Sequence, residues 1–178
     1  MISIRDNALD ECIDNEIYLK KLMDIYGTQL KRYAYIMLKD EYLAEDAVQK
    51  TFINFYYKIN TYRHESSEKN YLYTILVNEC KQIKRKNWFK KEKSDNDKQF
   101  ELLCDSEEVK SDNKIVVNEC LLKIKPKYRE IILLYYYQSF SVIEICEILN
   151  LSSSAVKSRL RYARENLKKY LQEVFDYE

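Results

Sequence analysis

The 178-residue sequence predicts an all-α fold, two small helical domains joined by a flexible linker, and three observations carry that prediction. The chain has one glycine and one proline. Phosphate-cradling loops and tight hairpins need glycine for positive φ, so long helices with short polar connections remain. Apolar residues recur every three or four positions in both halves, which is the spacing of a single helix face. Between the halves, Lys90–Lys114 has no period and is dominated by Lys, Asp, Glu, Asn and Ser, the composition of a tether. The expected boundaries are 1–92 for the first domain, 93–114 for the linker and 115–178 for the second domain.

In chain order, Leu19, Leu22, Met23, Tyr26, Leu30, Tyr33, Ala34 and Met37 form one amphipathic stripe. Lys39–Tyr42 breaks it. A second helix from about Leu43 to Tyr62 buries Ala47, Val48, Thr51, Phe52, Phe55 and Ile59. The polar loop Arg63–Lys69 leads to a third helix, about Lys69–Phe89, apolar at its start and basic at its end, with Trp88 either under the domain or against a ligand. In the second half Ile115–Ile124 is helical, and Pro126 suits the first turn of a helix continuing through Tyr137. Ser141 and Glu144 have the S-x-x-E spacing of a capping box, opening a short helix that ends near Leu149. After the turn Asn150–Ser152, a serine cluster caps a long last helix to about Leu171.

Composition removes several function classes. No apolar run approaches the ~18–20 residues of a membrane helix. The acidic start (Asp6, Asp10, Glu11, Asp14, Glu16) is the reverse of a signal peptide, so a cytoplasmic protein without membrane insertion is expected. Cys12, Cys80, Cys104, Cys120 and Cys146 form no CxxC pair and have no histidine beside them, which reads as free thiols and no metal site. Net charge is +1, but it is unevenly placed. Lys81, Lys84, Arg85, Lys86, Lys90, Lys91 and Lys93 face one acid, Glu92; Lys157, Arg159, Arg161, Arg164, Lys168 and Lys169 face Glu165 alone. Either a polyanion is touched at two places or these are two solvated helix faces.

Ser141–Leu149, a turn and Ser153–Leu171 have the dimensions of a helix-turn-helix. The last helix keeps Val156, Leu160, Ala163, Leu167 and Leu171 inward. Ser153, Ser154, Lys157, Ser158, Arg161 and Arg164 are left outside or at the flanks, suited to base edges and phosphates in a major groove. An ordinary helical pair with a charged face explains the stripe but not the outward basic bias beside capped serines. The stretch Ala155–Leu167, AVKSRLRYARENL, is similar to the T-V-K-S-R-L-x-R-A-R-x-x-L helix of region 4 in the extracytoplasmic-function (ECF) sigma factors of the sigma-70 family. That resemblance implies that this helix recognises the promoter −35 element. Ala155 and Tyr162 depart from the commonest threonine and arginine.

The first half resembles the same family. Ala44–Ile59, AEDAVQKTFINFYYKI, is similar to region 2.2, and its outer face carries Asp46, Gln49, Lys50 and Ile53 at i, i+3, i+4 and i+7. By resemblance this face docks on the clamp helices of the polymerase β′ subunit; Lys50 stands where the family often has glutamate. Tyr62–Lys86 resembles regions 2.3 and 2.4, with Tyr71-Leu72-Tyr73 in place of W-L-Y and Thr74 replacing a common arginine. Opening a duplex without ATP requires catching an unstacked base. Arg63, His64, Ser66 and Ser67 in the polar loop suit a flipped −10 base. Tyr71 or Tyr73 suits stacking, Asn78 and Lys81 suit the strand, and Lys84 and Arg85 suit its phosphates.

The resemblance spans about residues 18–89 and 115–172 in the family's order. It implies an alternative sigma factor, not an enzyme, with no cofactor and no small-molecule substrate. Its implied partners are core RNA polymerase (β′ clamp helices, β flap), promoter DNA and an anti-sigma factor. The linker acids Asp95, Asp97, Glu101, Asp105, Glu107 and Glu108 would lie near the nucleic-acid channel. The rival classes are a stand-alone helix-turn-helix regulator, which would be a dimer on a two-fold site, and a protein-only adaptor. Within the sigma class, a specialised toxin- or bacteriocin-gene sigma factor is the alternative.

Overall fold

A computed structural model describes residues 4–61, 67–90 and 112–175, with side chains described over 14–61, 67–86 and 116–173. The described residues are helical throughout apart from short connections, with no strand among them. The chain divides into two compact units, Met1–Trp88 and Phe89–Glu178.

The first unit holds α1 (Ile4–Leu38), α2 (Glu41–Lys58) and α3 (Glu68–Lys90), with a short 3-10 turn at Ile59–Thr61. The first helix is longer than its apolar stripe, because the acidic N-terminal segment continues the same helix. The expected four-residue break shrinks to Lys39 and Asp40. Lys39 takes φ 59°, and the Asp40 carboxylate accepts from the Leu43 N–H at 3.0 Å to start α2. Lys31 on α1 bridges Glu41 and Glu45 on α2 at 3.2 and 2.8 Å. Both carboxylates hold its ammonium pKa above the usual lysine value.

The core of this unit gathers Leu22, Leu30, Tyr33, Ala34 and Met37 from α1, Ala47, Thr51, Phe52 and Phe55 from α2, and Leu72, Tyr73, Leu76, Val77, Cys80 and Ile83 from α3. Tyr33 and Tyr73 meet edge to face with centroids 5.6 Å apart. Met23, expected in the inner stripe, is 48% exposed, since it lies off the line of Leu22, Leu30 and Tyr33 that faces α2 and α3. Val48 and Ile59 are only half-buried, being at the margins of the α2 contact.

The second unit holds α4 (Asp112–Lys123), α5 (Pro126–Ile132), α6 (Val142–Leu149) and α7 (Ser153–Phe175). Pro126 occupies the first turn of α5 as its fixed φ suggests. That helix does not run through Tyr137 as an α-helix. Leu133–Tyr137 is a π-helical turn in which Gln138 N–H reaches back to Leu133 O at 3.0 Å. The wider turn keeps Leu133 and Leu134 fully buried while Tyr136 and Tyr137 turn outward.

The expected capping box is formed. Ser141 Oγ accepts from Glu144 N–H at 3.3 Å and the Glu144 carboxylate accepts from Ser141 N–H at 2.8 Å. Asn150 ends α6 in the left-handed region at φ 52°, and Ser152 Oγ accepts from Ala155 N–H at 3.3 Å to start α7. Val156, Leu160 and Ala163 are buried, whereas Leu167 and Leu171 are half-buried because α7 runs out along a groove there.

Arg129, buried to 3% exposure, fixes the end of α4. Its Nε donates to Leu121 O at 2.8 Å and its Nη2 donates to Leu122 O at 2.7 Å and Ile124 O at 2.9 Å. They lie at the C-terminal end of α4, the negative end of its dipole, where Leu121 O also accepts from the Ile124 N–H at 3.1 Å. Burial pushes the guanidinium pKa down to about 10, which still leaves it charged at neutral pH.

Candidate functional site

Three outward helix faces carry the candidate residues. On α2 the buried side is Ala44, Ala47, Thr51 and Phe55. At 100° per residue, Asp46, Gln49, Lys50 and Ile53 fall in one arc on the opposite side. Gln49 is exposed and Ile53 is 52% exposed. Asp46 and Lys50 pair with each other at 2.6 Å, so the lysine at the position of the family's glutamate is neutralised within its own turn. Two residues that the motif reading passed over extend this face at either end. Tyr42 is 84% exposed and Tyr57 is 80% exposed, at i−4 from Asp46 and i+4 from Ile53. The signal for them was the i, i+4 periodicity carried one step further each way. From Tyr42 to Tyr57 the strip is about 22 Å long.

On α3 the buried side is Leu72, Leu76, Val77, Cys80 and Ile83. Tyr71, Asn78, Lys81 and Arg85 share the opposite face, within an arc of about 80°. Asn78, Lys81 and Arg85 are exposed. Tyr71 is half-buried, its ring 5.8 Å from Phe55. Tyr73 lies in the core, fully buried, where burial pushes its phenol pKa up. Of the two candidate stacking tyrosines, Tyr71 is therefore the one at the surface. Lys84, expected at a phosphate, instead lies toward the buried side of the helix with its Nζ enclosed, because its position falls between those of Val77 and Cys80. Ser67 is exposed, and its Oγ accepts from Asn70 N–H at 3.2 Å as α3 begins. Arg63, His64 and Ser66, the linker acids, Cys104 and the side chains of Cys12 and Trp88 lie outside the described residues.

On α7, Ser153, Ser154, Lys157, Ser158, Arg161 and Arg164 are all exposed. Arg161 approaches Glu165 at 3.9 Å, a loose pair between two open side chains that costs little to break. Arg164 is held more firmly at the flank. Its Nε donates to Tyr136 Oη at 2.6 Å, and its guanidinium lies 5.5 and 5.6 Å from the rings of Tyr135 and Tyr136. Beside it runs an apolar groove of about 410 Å³, floored by Val117, Ile132, Leu167 and Leu171 and rimmed by Tyr136, Tyr137 and Lys168. Among the described residues, no group of three His, Cys, Asp or Glu could hold a metal, and no helix is long and apolar enough to cross a membrane.

Comparison with known proteins matches both units. Residues 22–90 match Sigma-70 region 2, and residues 115–167 match Sigma-70, region 4. The chain is 32% identical over 158 residues to the ECF RNA polymerase sigma factor SigM of Bacillus subtilis (strain 168), covering 86% of this chain and 92% of that one. It is 29% identical over 170 residues to SigW of the same organism, covering 86% and 88%. Among solved structures, the sigma factor RpoE of Bartonella quintana, determined with the anti-sigma factor NepR, superposes with a TM-score of 0.75 at 25% identity, covering 86% of this chain and 96% of that one. CnrH, solved with the cytosolic domain of CnrY, shares the fold with a TM-score of 0.65 at 20% identity, covering 93% and 95%. Two matched regions in the family's order, and a relative matched over nearly its whole length, establish that this chain belongs to the ECF sigma factors of the sigma-70 family, alternative sigma factors that direct promoter-specific transcription initiation.

Proposed function

We propose that the α2 face of Asp46, Gln49, Lys50 and Ile53, lengthened by Tyr42 and Tyr57, docks on the β′ clamp helices of core polymerase. An apolar centre at Ile53, polar neighbours and aromatic ends suit a helix-on-helix interface. The α3 face, with the loop residues Arg63, His64, Ser66 and Ser67, binds and opens the −10 element: Tyr71 stacks, Asn78 hydrogen-bonds the strand, and Lys81 and Arg85 meet phosphates. Ser153, Ser154, Lys157, Ser158, Arg161 and Arg164 read the −35 element from the N-terminal half of α7. The groove beside Arg164 takes the β flap. An anti-sigma protein, like the one solved with RpoE, would silence the chain by covering these faces. Nucleotide chemistry is left to the polymerase, so this chain supplies no catalytic residue, and it works in the cytoplasm.

The observation that carries this reading is the outward α2 strip. A stand-alone regulator needs a dimer surface but has no use for an exposed isoleucine centred between two exposed tyrosines on a helix far in sequence from its DNA reader. The test is binding of the full chain to core polymerase, with Ile53→Glu and Gln49→Ala as probes. The reading expects each variant to remain folded and bind at least about tenfold more weakly, the size of loss typical of a central interface residue. Undiminished binding by both would remove α2 from the interface.

A further inference from the structure

A third cluster of positive charge lies outside both basic runs. Lys123, Lys125 and Lys127 alternate through the turn between α4 and α5, and all three are exposed. Lys127 is the one with a defined seat. Its Nζ lies 4.9 Å from the centroid of the Tyr128 ring, and that ring stacks on Tyr162 of α7 with centroids 4.4 Å apart and planes inclined at 38°. Tyr162 is 45% exposed, so the stack is a surface feature beside α7 and not part of the core.

Its place on α7 suggests what it meets. Around the helix, Tyr162 lies about 40° beyond Ser158 and about 100° beyond Arg161, at one edge of the exposed face. Lys157 and Arg164 mark the other edge. A helix seated in a major groove points the middle of its outer face at the bases and its two edges at the two phosphate strands. The Arg164 edge has its own cation, steadied by Tyr135 and Tyr136. Along the Tyr162 edge the N-terminal half of α7 offers Ala155 and Tyr162; Arg159 just beyond is drawn to buried Glu130 at 4.0 Å, and exposed Lys169, two turns further on, pairs loosely with Glu173 at 3.9 Å. The cation for that edge comes from α5, propped on an aromatic stack. A lysine already confined over a ring has less rotamer freedom left to lose when it binds a phosphate.

We propose that Lys127, seated on the Tyr128–Tyr162 stack, contacts a DNA phosphate along the edge of α7 opposite Arg164. The proposal rests on the reading of α7 as the −35 helix. It is tested with holoenzyme made from the full chain and core polymerase, bound to duplexes carrying promoters found by run-off transcription, at 50 to 200 mM KCl. One lost phosphate contact makes the slope of log affinity against log salt shallower by about 0.9, so the advantage of wild type over Lys127→Ala should shrink roughly threefold across that range. The loss should be equal on promoters with different −35 sequences. Adding Tyr162→Arg to Lys127→Ala should restore the slope.

If Lys127→Ala keeps the wild-type slope while Arg161→Ala loses binding, Lys127 makes no phosphate contact and only this proposal falls. If Arg161→Ala is also without effect, α7 is not the reader and the underlying reading falls with it. A Lys127→Ala variant with changed preference among −35 sequences would mean a base contact. One that binds core polymerase more weakly in the absence of DNA would assign the stack to the polymerase. Either result would overturn the phosphate assignment.

Discussion

Replacing Arg129 with methionine tests how the second unit is held together. Methionine retains most of the aliphatic packing and removes the hydrogen bonds, at 2.7 to 2.9 Å, to the carbonyls of Leu121, Leu122 and Ile124. Each charge-assisted bond contributes about 1.5–3 kcal/mol net, but removing a buried charge also relieves its desolvation, so the three do not simply add. The substitution leaves neutral carbonyls short of a donor, at about 1–3 kcal/mol for each buried one, and Leu121 O keeps the Ile124 N–H, so the net cost is about 2–5 kcal/mol. Small domains unfold with about 0.05–0.15 kcal/mol per residue, so this loss is a large share of the stability of the second unit. The expected fall in Tm is on the order of 10–30 °C for a domain of this size.

Thermal unfolding followed by circular dichroism gives the shift, and hydrogen exchange read by mass spectrometry assigns it to a unit. Protection should be lost across α4–α7 and kept across α1–α3, with polymerase binding through α2 intact and promoter recognition lost. Lysine at 129 keeps a charge but reaches fewer of the carbonyls, so it should fall between wild type and methionine. A Tm for Arg129→Met within about 3 °C of wild type, well under the shift expected for losing even 1 kcal/mol, would show that the carbonyls do not depend on Arg129.

Ser139 sits at φ 58°, a region costing a non-glycine residue roughly 1–2 kcal/mol, partly offset by the ~0.5–1 kcal/mol of extra chain entropy glycine must lose. Ser139→Gly should therefore raise the Tm of the second unit by a few degrees, roughly 3–5 °C, and Asn150→Gly by less, because asparagine tolerates the left-handed region. Tyr42→Ala and Tyr57→Ala should each weaken core-polymerase binding about tenfold in titration, with unchanged Tm. Tyr73→Ala should destabilise the first unit by about 3–5 kcal/mol in denaturant melts. Tyr71→Ala should leave that unit folded and slow promoter opening, read by fluorescence of a −10 base analogue; equal opening rates would deny Tyr71 a stacking role.

Much of this molecule could be read from residue spacing. With one glycine and one proline, the chain had few ways to be anything but helical, and the stripes of α2 and α7 named their inner and outer faces correctly at nearly every turn. The Ser141–Glu144 box announced α6 because a capping box is a local interaction, complete within four residues. What escaped depends on contacts between elements. Arg129 and Glu130 look like ordinary surface charges in sequence, and only packing of α5 against the end of α4 and against α7 buries them. The π turn at Leu133–Tyr137 is similarly chosen by packing, which buries two leucines and turns Tyr136 toward Arg164. Scarcity of glycine correctly argued against hairpins. It did not remove left-handed turns between helices, where Lys39, Ser139 and Asn150 take positive φ instead. Tyr162, read as a departure from the family arginine, acquires a partner only when α5 brings Tyr128 beside it.

The most direct test of the central claim is run-off transcription by purified core polymerase, with and without this chain, on promoter fragments from its own genome. New transcripts from defined starts, lost with Ile53→Glu and with Arg161→Ala, are the predicted result. Core polymerase that gains no new start, together with tight binding of the chain alone to a symmetric DNA site, would contradict the account.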